Sequence, residues 1–277
     1  MPYNLIIAIS YSGKTEEIKR IYETCYRYNL YFLLITGCNK NELQKRYREN
    51  DWTKIVSCYN PNDVTEYENS FVSLFSTLTP CVLFYNLMTY NLGTEINSFI
   101  EESIEISEST INHFSIKNLA DSIKKCPIVH LFYDYDTCAA ALDLESKFIE
   151  SGIANVILHE KKNFSHGRAT ILYKRYFGII INLIKYEDGG DYYGKTFKTE
   201  YDSELSKYFK KLCKEKHCNY IEISKTVGYN DMWNLRILFT TSYLLVLLGE
   251  ELGIDISNPI TPYPKETIPL YNYKGEF

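Results

Sequence analysis

The sequence predicts an α/β protein with two units of parallel sheet flanked by helices on both faces. Three observations carry that prediction. Apolar runs of strand length alternate with helical segments, beginning with Leu5-Ile-Ile-Ala-Ile9 and Tyr31-Phe-Leu-Leu-Ile35. Such continuous apolar runs suit strands buried on both faces, as parallel strands are. The alternation then restarts with Pro127-Ile-Val-His-Leu-Phe132, and strands joined by helices imply right-handed βαβ connections. The expected units are 1–112 and 113–277.

Each element follows from its residues. Glu16 to Asn29 is an expected helix, Tyr31 to Ile35 a strand and Lys54 to Ser57 a short third strand. Glu66 to Tyr90 is expected to be helical, with a break near Pro80, and 95 to 125 mostly helical. In the second half, a strand at Pro127 to Phe132 leads to a helix at Thr137 to Ser151, ended by Gly152. Strands are expected at Asn155 to His159, Phe177 to Ile184 and Asn219 to Ile223. Ser203 to Lys216 reads as an amphipathic helix with a solvated lysine face, and Asn234 to Gly253 as a buried one.

Composition narrows the function classes. The chain has 277 residues, 45% hydrophobic and 15% aromatic, too apolar for a disordered protein. Thirty Lys and Arg stand against 35 Asp and Glu, a net charge of -5, which argues against a broad nucleic-acid surface. No charged, apolar leader pattern opens the sequence, so a cytoplasmic protein is expected. Phe71 to Gly93 carries no charge but holds Pro80, Asn86 and Asn91, which favours a buried helix over a membrane span. The eight cysteines form no tight framework and read as reduced thiols. Cys213, His217 and Cys218 lie close in sequence, but no second ligand cluster accompanies them.

Ser10-Tyr-Ser-Gly-Lys-Thr15 stands between a strand and a helix. Gly13 permits close approach of the backbone, the helix start offers unpaired N–H groups, and Ser10, Ser12 and Thr15 add hydroxyls. A phosphate monoester fits this set. An ordinary N-cap by Ser12 or Thr15 fits the same residues. A Walker A reading matches Gly13-Lys14-Thr15 but finds Ala8 where the first glycine belongs.

Ile6 to Glu17 resembles the Ser-x-Ser-Gly-x-Thr-x-Glu phosphate loop of the SIS (sugar isomerase) family. Ala141-Leu-Asp-Leu-Glu-Ser-Lys-Phe-Ile-Glu150 resembles the helix with the catalytic glutamate in the isomerase domain of glucosamine-6-phosphate synthase. Asn163-Phe-Ser-His-Gly-Arg168 resembles the family's His-Gly motif, and Glu68 to Ser73 its sugar-contacting segment. Asp255 to Tyr273 is similar to the C-terminal stretch of double-SIS proteins. Against that family the first unit lacks its opening strands, and neither Phe132 to Asp136 nor Lys185 to Gly189 keeps a phosphate loop. The resemblance implies two SIS-like units, the first incomplete. It also implies a phosphosugar ligand held by Ser10, Tyr11, Ser12, Gly13 and Thr15, and sugar contacts from Val72 and Ser73.

The implied reaction is aldose–ketose isomerisation through a cis-enediol. Glu150 is the expected base and acid on the two carbons, and His166 the group that opens the sugar ring. Arg168 and Lys265 are candidates for stabilising charged oxygens. A homodimer follows from the family, because the histidine loop reaches a neighbouring subunit. No metal or organic cofactor, nucleic acid or membrane is implied. The alternatives are a non-catalytic phosphosugar sensor, which needs no Glu150, and an inactive truncated isomerase. His113, His130, His159 and His217 carry no motif and are expected to be structural.

Overall fold

A computed structural model describes residues 5–10, 12–57, 81, 84, 103, 105, 107–108, 111, 113–174, 178–185, 187–188, 196–197, 200–225 and 233–256. The chain divides into two compact units, 1–95 with 261–277 and 96–260. The helix expected at Glu66 to Tyr90 lies outside the described residues except for the helical Cys81 and Phe84.

In the first unit, strands β1 (Leu5–Ile9), β2 (Tyr31–Thr36) and β3 (Thr53–Ser57) pair in parallel in the order β1-β2-β3. Register sets Ile6 beside Phe32 and Ala8 beside Leu34, and then Phe32 beside Thr53 and Leu34 beside Ile55. Side chains alternate along a strand, so these share one face. Helix α1 (Glu16–Tyr28) covers that face with Ile18 and Cys25, and the half-buried Tyr22 joins them. Their spacing of three and four residues makes one helical stripe. Helix α2 (Lys40–Gln44) and the turn after it add the buried Leu43 and Tyr47. Asn29 ends α1 in the left-handed conformation (φ 51°), and the Leu30 N–H returns to the Cys25 carbonyl at 2.9 Å.

The second unit has a four-stranded parallel sheet in the order β5-β4-β6-β9. Its strands are β4 (Ile128–Tyr133), β5 (Asn155–Glu160), β6 (Ile179–Lys185) and β9 (Asn219–Lys225). A short antiparallel pair, β7 (Glu187–Asp188) with β8 (Thr196–Phe197), follows β6. Helices α3 (His113–Lys125), α4 (Cys138–Glu150) and α7 (Trp233–Leu252) pack together and on one side of the sheet. Helix α6 (Glu200–Lys216) packs on β6 and β9, where Leu205, Phe209, Leu212 and Cys213 meet Phe132 and Ile180. Helix α5 (Ala169–Lys174) places Leu172 in the same core. The expected fold class, α/β with parallel sheets between helices, is the observed one.

The helix expected from Thr137 begins at Cys138, because Tyr135–Thr137 form a tighter turn closed by the Asp134 N–H on the Thr137 hydroxyl at 2.9 Å. Among the described residues no helix is long and apolar enough to cross a membrane.

Strand register also explains two of the histidines. His159 stands beside Phe132 on neighbouring strands, and His130 is two residues earlier on the same face. Their rings stack with centroids 5.0 Å apart, and His130 Nδ1 shares a proton with His159 Nε2 at 2.7 Å. Both are about 97–98% buried, being 3% and 2% exposed. Burial pushes each imidazole down to about 4 from 6.5; for His159 the neighbouring His130 and Arg168 add to it.

The folded chain thus holds two neutral rings that the unfolded chain protonates below pH 6.5. Stability falls as pH drops from about 6.5 to about 4 and this contribution levels off below. Urea unfolding at pH 7.5 and pH 5 is expected to show a drop that is much smaller in the double variant His130→Leu, His159→Phe. Equal drops in both proteins would remove the pair as the cause.

Candidate functional site

Parallel pairing sends the C-terminal ends of β1, β2 and β3 to one edge, and open α/β sheets bind ligands there. Ser10, residues 12–15 and 36–39, and Ser57 meet at this edge. The Ser10 N–H extends the ladder to the Ile35 carbonyl at 3.0 Å. The chain then turns through Gly13 at φ +59°. A Cβ there would lie 3.0 Å from a Leu43 methyl and 3.2 Å from the Thr36 hydroxyl, so both conformation and space call for glycine. The fully buried Tyr47 donates its phenol hydrogen to the Gly13 carbonyl at 2.7 Å and ties the turn to the core.

The hydroxyls of the loop are organised. Ser10 Oγ accepts the Gly13 N–H at 3.2 Å, and Ser12 Oγ accepts the Lys14 N–H at 3.2 Å. Each hydroxyl keeps its own hydrogen for donation. Thr15 caps α1 from an extended backbone (φ -67°, ψ 155°) without bonding a helical N–H. A hydrogen bond from its own backbone N–H, then one from the Thr15 hydroxyl, holds the Glu17 carboxyl below the usual range. Lys14 reaches to α2, where its ammonium meets Glu42 Oε2 at 2.7 Å. The Cys38 thiol lies 3.7 Å from the same oxygen. That hydrogen bond to Glu42 raises the Lys14 ammonium and lowers the Glu42 carboxyl. Tyr11 lies outside the described residues, as do Val72, Ser73 and Lys265.

The corresponding edge of the second unit is built differently. The strand order reverses between β4 and its two neighbours, which marks a switch point. Asp134 follows β4 and Lys161 follows β5. The Lys161 ammonium is fully buried and donates to Asp134 at 2.6 Å, Asp202 at 2.8 Å and the Leu183 carbonyl at 2.7 Å. Here a side-chain cation meets two carboxylates where the first unit has its hydroxyl loop. Sequence reasoning passed over Lys161, because Lys161-Lys162 after a strand looks like solvated loop. The one available signal was a charge set directly against the end of an apolar strand.

The expected catalytic residues separate. Glu150 is the last residue of α4, exposed, and its carboxylate accepts the Ser146 hydroxyl at 2.8 Å. Helix α4 returns the chain from the end of β4 to the start of β5, which places Glu150 at the N-terminal edge of the sheet. His166 and Arg168 follow β5 in an irregular helical turn and are exposed at the opposite edge. Gly167, at φ 107°, makes that turn. The six residues of β5 between the two edges span about 17–20 Å. Within one chain the structure does not bring Glu150 and His166 together. Among the described residues no cluster of three metal-ligating side chains occurs.

No protein-family model matches the sequence, and no curated protein matches it. Solved structures match in fold. A provisionally assigned phosphosugar isomerase from Silicibacter pomeroyi aligns with TM-score 0.63 and 13% identity, over 92% of this chain and 75% of its own. A provisionally assigned tagatose-6-phosphate ketose/aldose isomerase from Clostridium novyi aligns with TM-score 0.62 and 18% identity, over 93% and 68%. The C-terminal domain of glucosamine-fructose-6-phosphate aminotransferase from Francisella tularensis aligns with TM-score 0.57 and 14% identity, over 92% and 72%. The chain therefore has the fold of these proteins, the SIS-type fold that the motifs imply.

The Lys161 cluster makes a stability test. Lys161→Met takes from Asp202, whose side chain is 8% exposed, the ammonium it meets at 2.8 Å. Removing one partner of a buried pair is expected to cost about 3–5 kcal/mol, read from urea unfolding of the second unit. A loss below about 1 kcal/mol, the size of a surface pair, would contradict the burial described here.

Proposed function

We propose that this chain binds a sugar phosphate at Ser10–Thr15 and, as a cytoplasmic homodimer, interconverts an aldose phosphate and its ketose. The observation that carries the reading is the loop: glycine-turned, hydroxyl-lined, at the carboxyl edge of a parallel sheet and at a helix start. Phosphosugar isomerases among the proteins of like fold support it. Phosphate oxygens accept from the loop N–H groups and hydroxyls, with Tyr11 completing the set. Val72, Ser73 and Lys265 contact the sugar.

In the proposed reaction His166 passes a proton to the ring oxygen as the bond from that oxygen to the anomeric carbon breaks, and the proton released by the anomeric hydroxyl returns to the imidazole through water, which opens the sugar and restores His166. The Glu150 carboxylate removes the proton from the carbon beside the carbonyl while the carbonyl oxygen takes one, and a cis-enediol forms. The same carboxyl returns its proton to the former carbonyl carbon as the neighbouring hydroxyl gives up its own proton and becomes the new carbonyl, so one O–H proton is gained and one lost and the products balance the reactant. Arg168 stabilises the enediol oxygens. Since Glu150 and His166 occupy opposite sheet edges in one chain, each active site takes its histidine from the partner subunit. The same separation favours a second reading, a phosphosugar sensor that uses the loop alone.

Thermal unfolding with glucose, fructose and glucosamine 6-phosphates decides between them. A bound ligand at one hundred times its dissociation constant stabilises by about 2.7 kcal/mol. One of the three is expected to raise the melting temperature, and Ser12→Ala to reduce that rise. Glu150→Gln is expected to keep the rise and lose isomerisation by about 100-fold or more. A rise with no turnover by the wild type selects the sensor. No rise with any phosphosugar defeats the binding claim.

A further inference from the structure

We infer that Lys14 is itself a phosphate-binding residue of this loop and that Glu42 on α2 holds it in reserve, so that the pair sets the loop's affinity. The inference rests on the reading of Ser10–Thr15 as a phosphosugar site and goes beyond it, since neither residue belongs to the motif.

The argument begins with charge. Residues 10–17 read Ser-Tyr-Ser-Gly-Lys-Thr-Glu-Glu, with one cation and two carboxylates. Glu16 and Glu17 favour the positive end of α1, and they repel an incoming dianion. Glu42 brings a third carboxylate to the same edge, 2.7 Å from the Lys14 ammonium. A phosphate dianion on this loop needs a counter-charge, and Lys14 is the residue placed to give it.

Geometry makes the exchange feasible. The Lys14 backbone N–H already belongs to the loop through its bond to Ser12 Oγ, and its side chain has a flexible four-carbon stem. Helix α2 is anchored beside the loop: Leu43 lies against Gly13, and Asn39 caps the helix by accepting the Asn41 N–H at 2.9 Å. Glu42 is thereby carried on an element anchored against the loop. When Lys14 departs, the Cys38 thiol at 3.7 Å still offers Glu42 a donor.

The energies agree. The Lys14 and Glu42 side chains are 50% and 57% exposed. An ion pair so open to water contributes little, so giving it up is cheap. A hydrogen bond from an ammonium to a phosphate oxygen is stronger than a neutral one. Occupation of the loop would exchange acceptors throughout: phosphate oxygens replace Ser10 Oγ at the Gly13 N–H, Ser12 Oγ at the Lys14 N–H, and Glu42 at the ammonium.

Calorimetric titration with inorganic phosphate and with fructose 6-phosphate tests this, using wild type, Lys14→Ala, Glu42→Gln and the double variant. Both side chains are exposed, and unchanged melting temperatures check the fold. Glu42→Gln is expected to tighten binding about threefold or more, by releasing Lys14 and removing a like charge, and Lys14→Ala to weaken it about tenfold. In the Lys14→Ala background the gain from Glu42→Gln is expected to shrink below twofold, and the salt dependence of binding to fall. If wild type binds and Lys14→Ala binds equally well, or if Glu42→Gln does not tighten binding, the inference is wrong while the phosphate loop stands. If wild type binds neither probe, nor glucose or glucosamine 6-phosphate in the same titration, the loop reading fails and the inference with it.

Discussion

A parallel strand must be followed by a segment that carries the chain back to the start of the next strand, and the placement of the candidate residues among those described follows from that constraint. Each loop leaving a strand emerges at the carboxyl edge, and each helix end entering a strand arrives at the other. Ser10–Thr15 leaves β1, Asp134 leaves β4 and Lys161 to Arg168 leaves β5, so all lie at carboxyl edges of their sheets. Glu150 closes a returning helix and lies at the opposite one. The geometry of the proposed sugar-phosphate site is thus decided by topology first and side-chain chemistry second.

The two carboxyl edges use charge in contrasting ways. In the first unit the ion pair of Lys14 and Glu42 is open to water and the loop is held by uncharged bonds: serine hydroxyls on N–H groups and a buried tyrosine on a carbonyl. Such a loop can change partners at little cost. In the second unit a fully buried ammonium is committed to two carboxylates and a carbonyl. Desolvated charges of this kind are expensive to separate, which fixes the root of the His166 segment to the sheet. One edge is suited to exchange and the other to rigidity.

Much of this was legible in the residues. Leu5 to Ile9 and Ile179 to Ile184 declare strands because no polar residue but Asn182 interrupts them, though only the second is buried throughout, since Leu5 and Ile9 of the first are exposed; Ser-x-Ser-Gly-x-Thr declares its loop because glycine and hydroxyls are needed together. Helix α2 was not foreseen: five residues, Lys-Asn-Glu-Leu-Gln, are too few to show a period, and only Leu43 is buried. Lys161 was missed because its burial depends on Asp202, forty-one positions later. The contact of His130 with His159 depends on strand register, which spacing along the chain does not give. Glu150 and His166 stand sixteen positions apart, yet a strand runs between them, so closeness in sequence misled about closeness in space.

The central claim is that the Ser10–Thr15 loop is the phosphate seat. The most direct measurement follows the backbone amides by ¹H–¹⁵N correlation spectra while a hexose 6-phosphate is added. The account predicts saturable shifts concentrated at Gly13 and Lys14, whose N–H groups trade a serine oxygen for a phosphate oxygen. Saturable shifts confined to residues around Asp134 and Lys161, with Gly13 and Lys14 unmoved, would contradict it.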